Sequence, residues 1–155
     1  MRRLVACAMF LLLLAAELAA AKPHCTLRAH VEGNANDGAV FSTQLQSPTT
    51  GKKVVIEKIP TISERDVVAF YPVPAPDGSY GVLFKLDDHG KLALDTLSVE
   101  RRGTFLYVFV NGRPAAELQI DKRVSDGKLY VPTGLTANDV ALMKKDWRLI
   151  GQRKK

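Results

Sequence analysis

Residues 104–113 read TFLYVFVNGR, and no other stretch constrains the fold as tightly. A nearly unbroken apolar run ending in Asn-Gly is a buried strand entering a tight hairpin, because Asn and Gly accept the positive φ angles of such a turn. Segments with helical patterning flank it, so residues 79–143 form the centre of the domain. A chain of 155 residues has room for one domain with a substantial core.

Residues 1–21, MRRLVACAMFLLLLAAELAAA, carry two arginines, an apolar run, and small residues at Ala19 and Ala21. That order marks a secretory signal peptide cleaved after Ala21. A membrane anchor is the competing reading, but the apolar run covers only thirteen positions, 4–16, before Glu17 interrupts it. Spanning a bilayer takes about twenty apolar residues. Lys22, Pro23 and His24 before Cys25 are also wrong for lipid attachment, which wants small or aliphatic residues there. The expected organisation is a leader over 1–21, a single domain over 22–148 and a basic tail over 149–155, in a periplasmic or secreted protein. Cleavage removes Cys7 and leaves Cys25 alone, so no intramolecular disulfide forms and the fold rests on its core.

Period-two alternation places strands on both sides of the central run. Cys25, Leu27, Ala29 and Val31 alternate with polar residues, 40–46 and 53–59 are further candidates, and 67–73 reads as a strand ending in Pro72, Pro74 and Pro76. Those prolines exclude it from a sheet centre. Beyond Asp77-Gly78, Tyr80, Val82, Phe84 and Leu86 alternate again. From 89 to 102 the period becomes helical, with Leu92, Ala93, Leu94, Leu97 and Arg101 on one side and Gly103 as the stop. After Asn111-Gly112 a return strand runs to about Ile120, and Pro114 near its start predicts an edge or a bulge. A short strand over 128–131 precedes a helix opened by Thr136 and Asp139, with Val140, Met143 and Trp147 on one stripe. The fold class expected is α+β: a mainly antiparallel sheet with two helices, near 89–102 and 136–148, packed on one face.

The succession Leu86, Gly90, LDTLS (94–98), Gly103, Leu106, Asn111-Gly112, Ile120, Val124, Gly127, Val131, Thr136 and Leu142 resembles the head part of the first periplasmic domain of the SecD and SecDF export proteins. In that family an apolar strand and a helix precede a strand ending in Asp-Gly, and a long connection with spaced Ile and Gly leads to a Thr-initiated helix. The spacing agrees without a gap from 94 to 131, and the resemblance covers about residues 80–143. Ser98 stands where the family has Thr, Leu118 where it usually has Pro, and Gly134 one place late. Such core and turn positions specify a fold more than an activity. The resemblance therefore implies a shared domain rather than membership of the translocase, whose members carry membrane helices.

Reactive patterns are few. Ser125-Asp126-Gly127-Lys128 matches the S-x-x-K of penicillin-recognising enzymes, but that chemistry needs Ser and Lys one helical turn apart, and Gly127 belongs to a turn. His24 and His30 are six residues apart on an extended strand, about 20 Å, with Cys25 facing the other way. With His89 the only other histidine, a zinc site is implausible. Cys25 reads as a core-facing strand residue, with intermolecular pairing as the alternative. Asp87 and Asp88 sit where a helix begins and suit its dipole, and Asp95 lies on the solvated face. No catalytic residue, metal ligand or cofactor is assigned.

Charge singles out one surface. Residues 22–143 carry 14 basic and 14 acidic side chains, whereas 144–155 carry six basic residues against Asp146 alone. Lys144, Lys145, Trp147, Arg148, Arg153, Lys154 and Lys155 form a candidate for binding anionic surfaces, each basic residue contributing about 1 kcal/mol near anionic lipid. A solvated helix end explains the same lysines, because cations complement a helix C-terminus. Nucleic acid ranks below lipid headgroups, because the protein is read as exported. The leading expectation is an exported, non-enzymatic binding module that contacts exported polypeptide or envelope proteins, as the resemblance implies, through strand addition at a sheet edge. The alternative is an envelope protein acting through its basic end. A small hydrolase ranks third, since nucleophile, base and oxyanion donors cannot be assigned together.

Overall fold

The structure, a computed structural model, describes residues 23–152. The leader read over 1–21 and the tail residues Arg153, Lys154 and Lys155 lie outside the described residues. Among those described, no helix is long and apolar enough to cross a membrane.

The architecture is mixed α+β with mostly antiparallel strands, divided between two four-stranded sheets and a hairpin. The strands are β1 (Leu27–Val31), β2 (Ser42–Gln46), β3 (Lys53–Glu57), β4 (Ile62–Ser63), β5 (Val67–Pro74), β6 (Tyr80–Leu86), β7 (Phe105–Val110), β8 (Arg113–Gln119), β9 (Lys128–Leu135) and β10 (Arg148–Leu149). The α-helices are α1 (Gly38–Phe41), α2 (Asp88–Glu100) and α3 (Ala137–Asp146). The first sheet has the order β4-β1-β7-β8, the second the order β10-β5-β6-β9, and β2 pairs with β3.

The apolar run of residues 104–113 becomes β7, flanked by β1 and β8 and so central in the first sheet. Val110 pairs with Arg113 across Asn111 (φ 52°) and Gly112 (φ 80°), the two positive φ angles expected of Asn-Gly in a tight hairpin. The register slips between Val108 and Phe109, opposite Pro114 and Ala116. Pro114 thus sits at a bulge and on an edge strand at once, which spares the ladder its missing N–H. The prolines of β5 act likewise: β10 pairs only with Ala69 and Phe70, leaving Pro72 and Pro74 on an open edge.

Two departures from the sequence reading have local causes. Residues 38–41 form the single turn α1 ahead of β2, with Val40 76% and Phe41 67% exposed. Ser42 Oγ donates to Gly38 O at 3.0 Å and closes that turn. Leu92 is 67% exposed, and the packed stripe of α2 is Gly90, Leu94, Leu97 and Ser98. The two longer helices also have different neighbours, α2 lying against β4 and β6 and α3 against β10.

One core joins both sheets. Leu27, Ala29, Val31, Leu106, Val108 and Val110 from the first meet Phe70, Val82, Phe84, Leu129 and Val131 from the second. At about 1.5–3 kcal/mol for each large apolar side chain buried, this core is the main term holding the sheets together. Arg101 ties the end of α2 to the remaining hairpin, donating to Glu57 Oε1 at 2.9 Å and to Glu32 O at 2.5 Å.

Candidate functional site

The two sheets turn a free edge toward each other. β8 is the last strand of the first sheet and β9 the last of the second, and no ladder joins them. They meet at one end only. Arg113, opening β8, donates to Gly134 O in β9 at 3.1 Å and pairs with Asp139 at the start of α3. Asn111 Nδ2 donates to the same carboxylate at 2.9 Å. Gly134, at φ 96°, lies so close to Ala115 O that a Cβ there would come within 2.2 Å of it.

At the other end the strands enclose a cleft of about 790 Å³, lined by the second half of β8, the first half of β9, α2 and the connection over 120–126. Its apolar lining includes Leu83, Leu94, Leu97, Leu118, Ile120 and Leu129. The connection is held by backbone and side chain alike. Ile120 exchanges hydrogen bonds with Gly103 and Thr104 at 2.8 and 2.9 Å, and Val124 N donates to the buried Ser98 Oγ at 2.9 Å. Arg123 forks onto Asp95 at 2.6 and 2.9 Å, which holds the Asp95 carboxyl below its ordinary range. Ser98 thus anchors one wall through its hydroxyl.

The residues singled out in the sequence fall elsewhere. Lys144 and Lys145 are exposed in the last turn of α3, where they complement the helix dipole. Arg148 is exposed on β10, at the opposite edge of the second sheet from β9. Trp147 is half-buried and packs edge-on against Phe70 and Phe84, with ring centroids 6.3 and 6.1 Å away. Packing therefore claims its ring. Trp147→Ala is expected to cost about 2 kcal/mol in a urea melt, below the 3–5 kcal/mol of a fully buried tryptophan. The chain stays tied to the sheet through Ile150, whose N–H donates to Phe70 O at 2.9 Å.

The other polar candidates are absorbed locally. Asp87 caps α2 by accepting from Gly90 N at 2.8 Å. Asp66 caps the turn over 64–66 through Ser63, and its other carboxylate oxygen accepts from His89 Nδ1 at 2.7 Å. One ligand atom each from Asp66, Asp87 and His89 lies within 4.8 Å of the others, but a metal ion there would displace the cap and the ion pair. Ser125 is exposed at the cleft, and Gly127, at φ 70°, turns the chain into β9, so no helix brings Ser125 and Lys128 together.

Cys25 is fully buried. Burial first, then the nearby carboxylates of Asp139 and Asp146, push its thiol up to about 12. The thiolate is the reactive form, so native protein lacking residues 1–21 is expected to resist a thiol reagent at mildly alkaline pH and to react fully once denatured. Native reaction at the rate of a free thiol would contradict this burial.

No family model and no curated protein matches the chain. Among solved structures, one described as a membrane component SecDF that enhances protein export superposes with a TM-score of 0.55 at 14% identity, covering 84% of this chain and 69% of that one. The fold is SecDF-like. A second structure, SecDF in a super-membrane-facing form, gives a TM-score of 0.55 at 13% identity over 83% of this chain, which spans only 20% of that larger protein. The match covers more of the chain than residues 80–143.

Pro114 marks β8 as an edge strand in the sequence, but it does not line the cleft. The lining is assembled from α2, β6 to β9 and a connection, and no single segment carries its pattern.

Proposed function

We propose that this chain is an exported, non-enzymatic binding module of protein export that contacts unfolded polypeptide or an envelope protein by strand addition. The observation that carries it is a SecDF-like fold that leaves two sheet edges unpaired beside an apolar cleft. An unpaired edge presents N–H and C=O groups that another strand satisfies. The comparison supports a role connected with export, and the step to polypeptide binding is our own reading.

The test uses protein lacking residues 1–21 and a fluorescent, permanently unfolded polypeptide. Anisotropy should rise on mixing, and the folded parent of that polypeptide should compete poorly. Crosslinking in an envelope fraction should recover a defined partner. If the unfolded chain fails to bind and no partner is recovered, the proposal is abandoned.

A further inference from the structure

The four strands of the second sheet contain three charged residues, Lys85, Lys128 and Arg148, and no acid. All three point the same way. Alternation along a strand sends every second side chain to one face, and Phe70, Val82, Phe84, Leu129 and Val131 occupy the core side. Their neighbours therefore face outward. The helices α2 and α3 give Leu94, Leu97, Val140 and Met143 to the same core, so neither covers the outer face.

The register arranges that face in two rows. Arg148 lies opposite Ala69, Ala69 opposite Lys85, and Lys85 opposite Lys128, so the cations stand in one line across the sheet. Two residues further along, Tyr71, Leu83 and Tyr130 form the second line. With strands about 4.8 Å apart, the cation row spans about 14 Å and the aromatic row runs beside it at about 7 Å. Tyr71 is 53% and Tyr130 50% exposed.

The cations are short of partners of opposite charge. Lys85 and Lys128 are cross-strand neighbours, and like charges directly opposite destabilise a sheet. Among the described residues Lys85 and Arg148 form no ion pair, and Lys128 has only Asp126 at 3.4 Å, in an exposed pair that contributes little. An anion supplied from outside relieves that repulsion. The face is a sheet surface, bounded on its β9 side by the cleft, and so suits a planar partner. Tyrosine joins an apolar ring to a polar tip, the combination that concentrates at membrane–water interfaces.

We propose that the outer face of the second sheet docks on an anionic lipid surface, with Tyr71 and Tyr130 seated among the headgroups and Lys85, Lys128 and Arg148 on lipid phosphates. This is a second binding activity, and it does not depend on the reading of the strand edges as a polypeptide site. Lys144 and Lys145, on α3, take no part in it.

The test is co-sedimentation of protein lacking residues 1–21 with vesicles of phosphatidylcholine alone, or of phosphatidylglycerol and phosphatidylcholine in equal parts. Binding is expected to the anionic vesicles only, and to fall as salt screens it. Lys85→Gln with Lys128→Gln should weaken it roughly thirty-fold, the effect of two cations at an anionic surface. Tyr71→Ser with Tyr130→Ser should weaken it at least ten-fold with no change of charge. Lys144→Gln with Lys145→Gln removes the same two charges elsewhere and should leave binding within about two-fold. Trp147 emission confirms that each variant is folded.

Equal losses from the two lysine pairs would overturn the proposal, because binding would then follow net charge and not this face. So would full binding by the tyrosine variant, or none by the native protein at low salt. A soluble anionic polysaccharide or single-stranded DNA held through Lys85 and Lys128, with vesicles left unbound, would assign the face to that polymer and overturn the proposal as well.

Discussion

Asp139→Ala is expected to lower stability by about 3 kcal/mol in a urea or thermal melt. The carboxylate is buried, and it closes a capping box with Thr136, accepting from the Thr136 backbone N–H and hydroxyl, each at 2.8 Å. It also holds Asn111 and Arg113. Thr136 Oγ still accepts from the backbone N–H of residue 139, so the lost half of the capping box accounts for about 1 kcal/mol, and loss of the other hydrogen bonds to a buried charge for about 2 kcal/mol more. Arg113 is 41% exposed and can be solvated after the change, which keeps the cost below that of a fully buried ion pair.

The same residue carries a pH signature. Burial pushes the Asp139 carboxyl up, but hydrogen bonds from Thr136, Asn111 and Arg113 outweigh it and leave the group below its ordinary value. A carboxyl depressed in the folded state adds stability at pH above its unfolded value of about 3.9, and that contribution is lost as pH falls through the folded value. The stability gap between the native protein and Asp139→Ala should therefore be full near neutrality and narrow in acid. A gap that stays constant down to the acid transition would show that the charge contributes nothing.

The second large effect is expected from Gly134→Ala, at roughly 2–5 kcal/mol. Positive φ costs an L-residue about 1–2 kcal/mol, and forcing a methyl group against Ala115 O adds about 1–3 kcal/mol of overpacking. Gly78 is the control, because it has φ 82° with open space around it. Gly78→Ala should show only the conformational cost, of about 1 kcal/mol. Because the clash lies between β8 and β9, Gly134→Ala should also loosen the narrow end, raising amide exchange at Ala115 and Leu135 beyond any change at the Asn111-Gly112 turn. Equal destabilisation by the two substitutions would mean that the strands do not approach closely at Gly134.

Local signals were legible wherever one residue type answers one local need. Thr136 and Asp139 spaced by three form the capping box, Ser63 and Asp66 form another, and Asn111-Gly112 makes the hairpin. Each depends on groups within a few residues, so sequence spacing fixes the geometry. Residues 40 and 41, expected to begin a strand, lie in the turn because Val and Phe are acceptable in either state and a hydrogen bond from Ser42 back to Gly38 decides for the turn. The basic residues were legible as charge but not as a site. Trp147, grouped with them in sequence, is engaged by Phe70 and Phe84 from distant strands.

Alternation in the sequence determined that the chain builds half-buried strands and where most of them lie, and the apolar run within 104–113 determined a buried one. A period of two states which side of a strand is apolar and is silent on which strand lies beside it. The division into two sheets, the placing of β8 and β9 as facing edges, and the cleft between them came from tertiary structure alone. Pairing is decided by which apolar faces can be buried together, and here one core is satisfied by two sheets that touch at Gly134 and border a cleft that Glu117 lines.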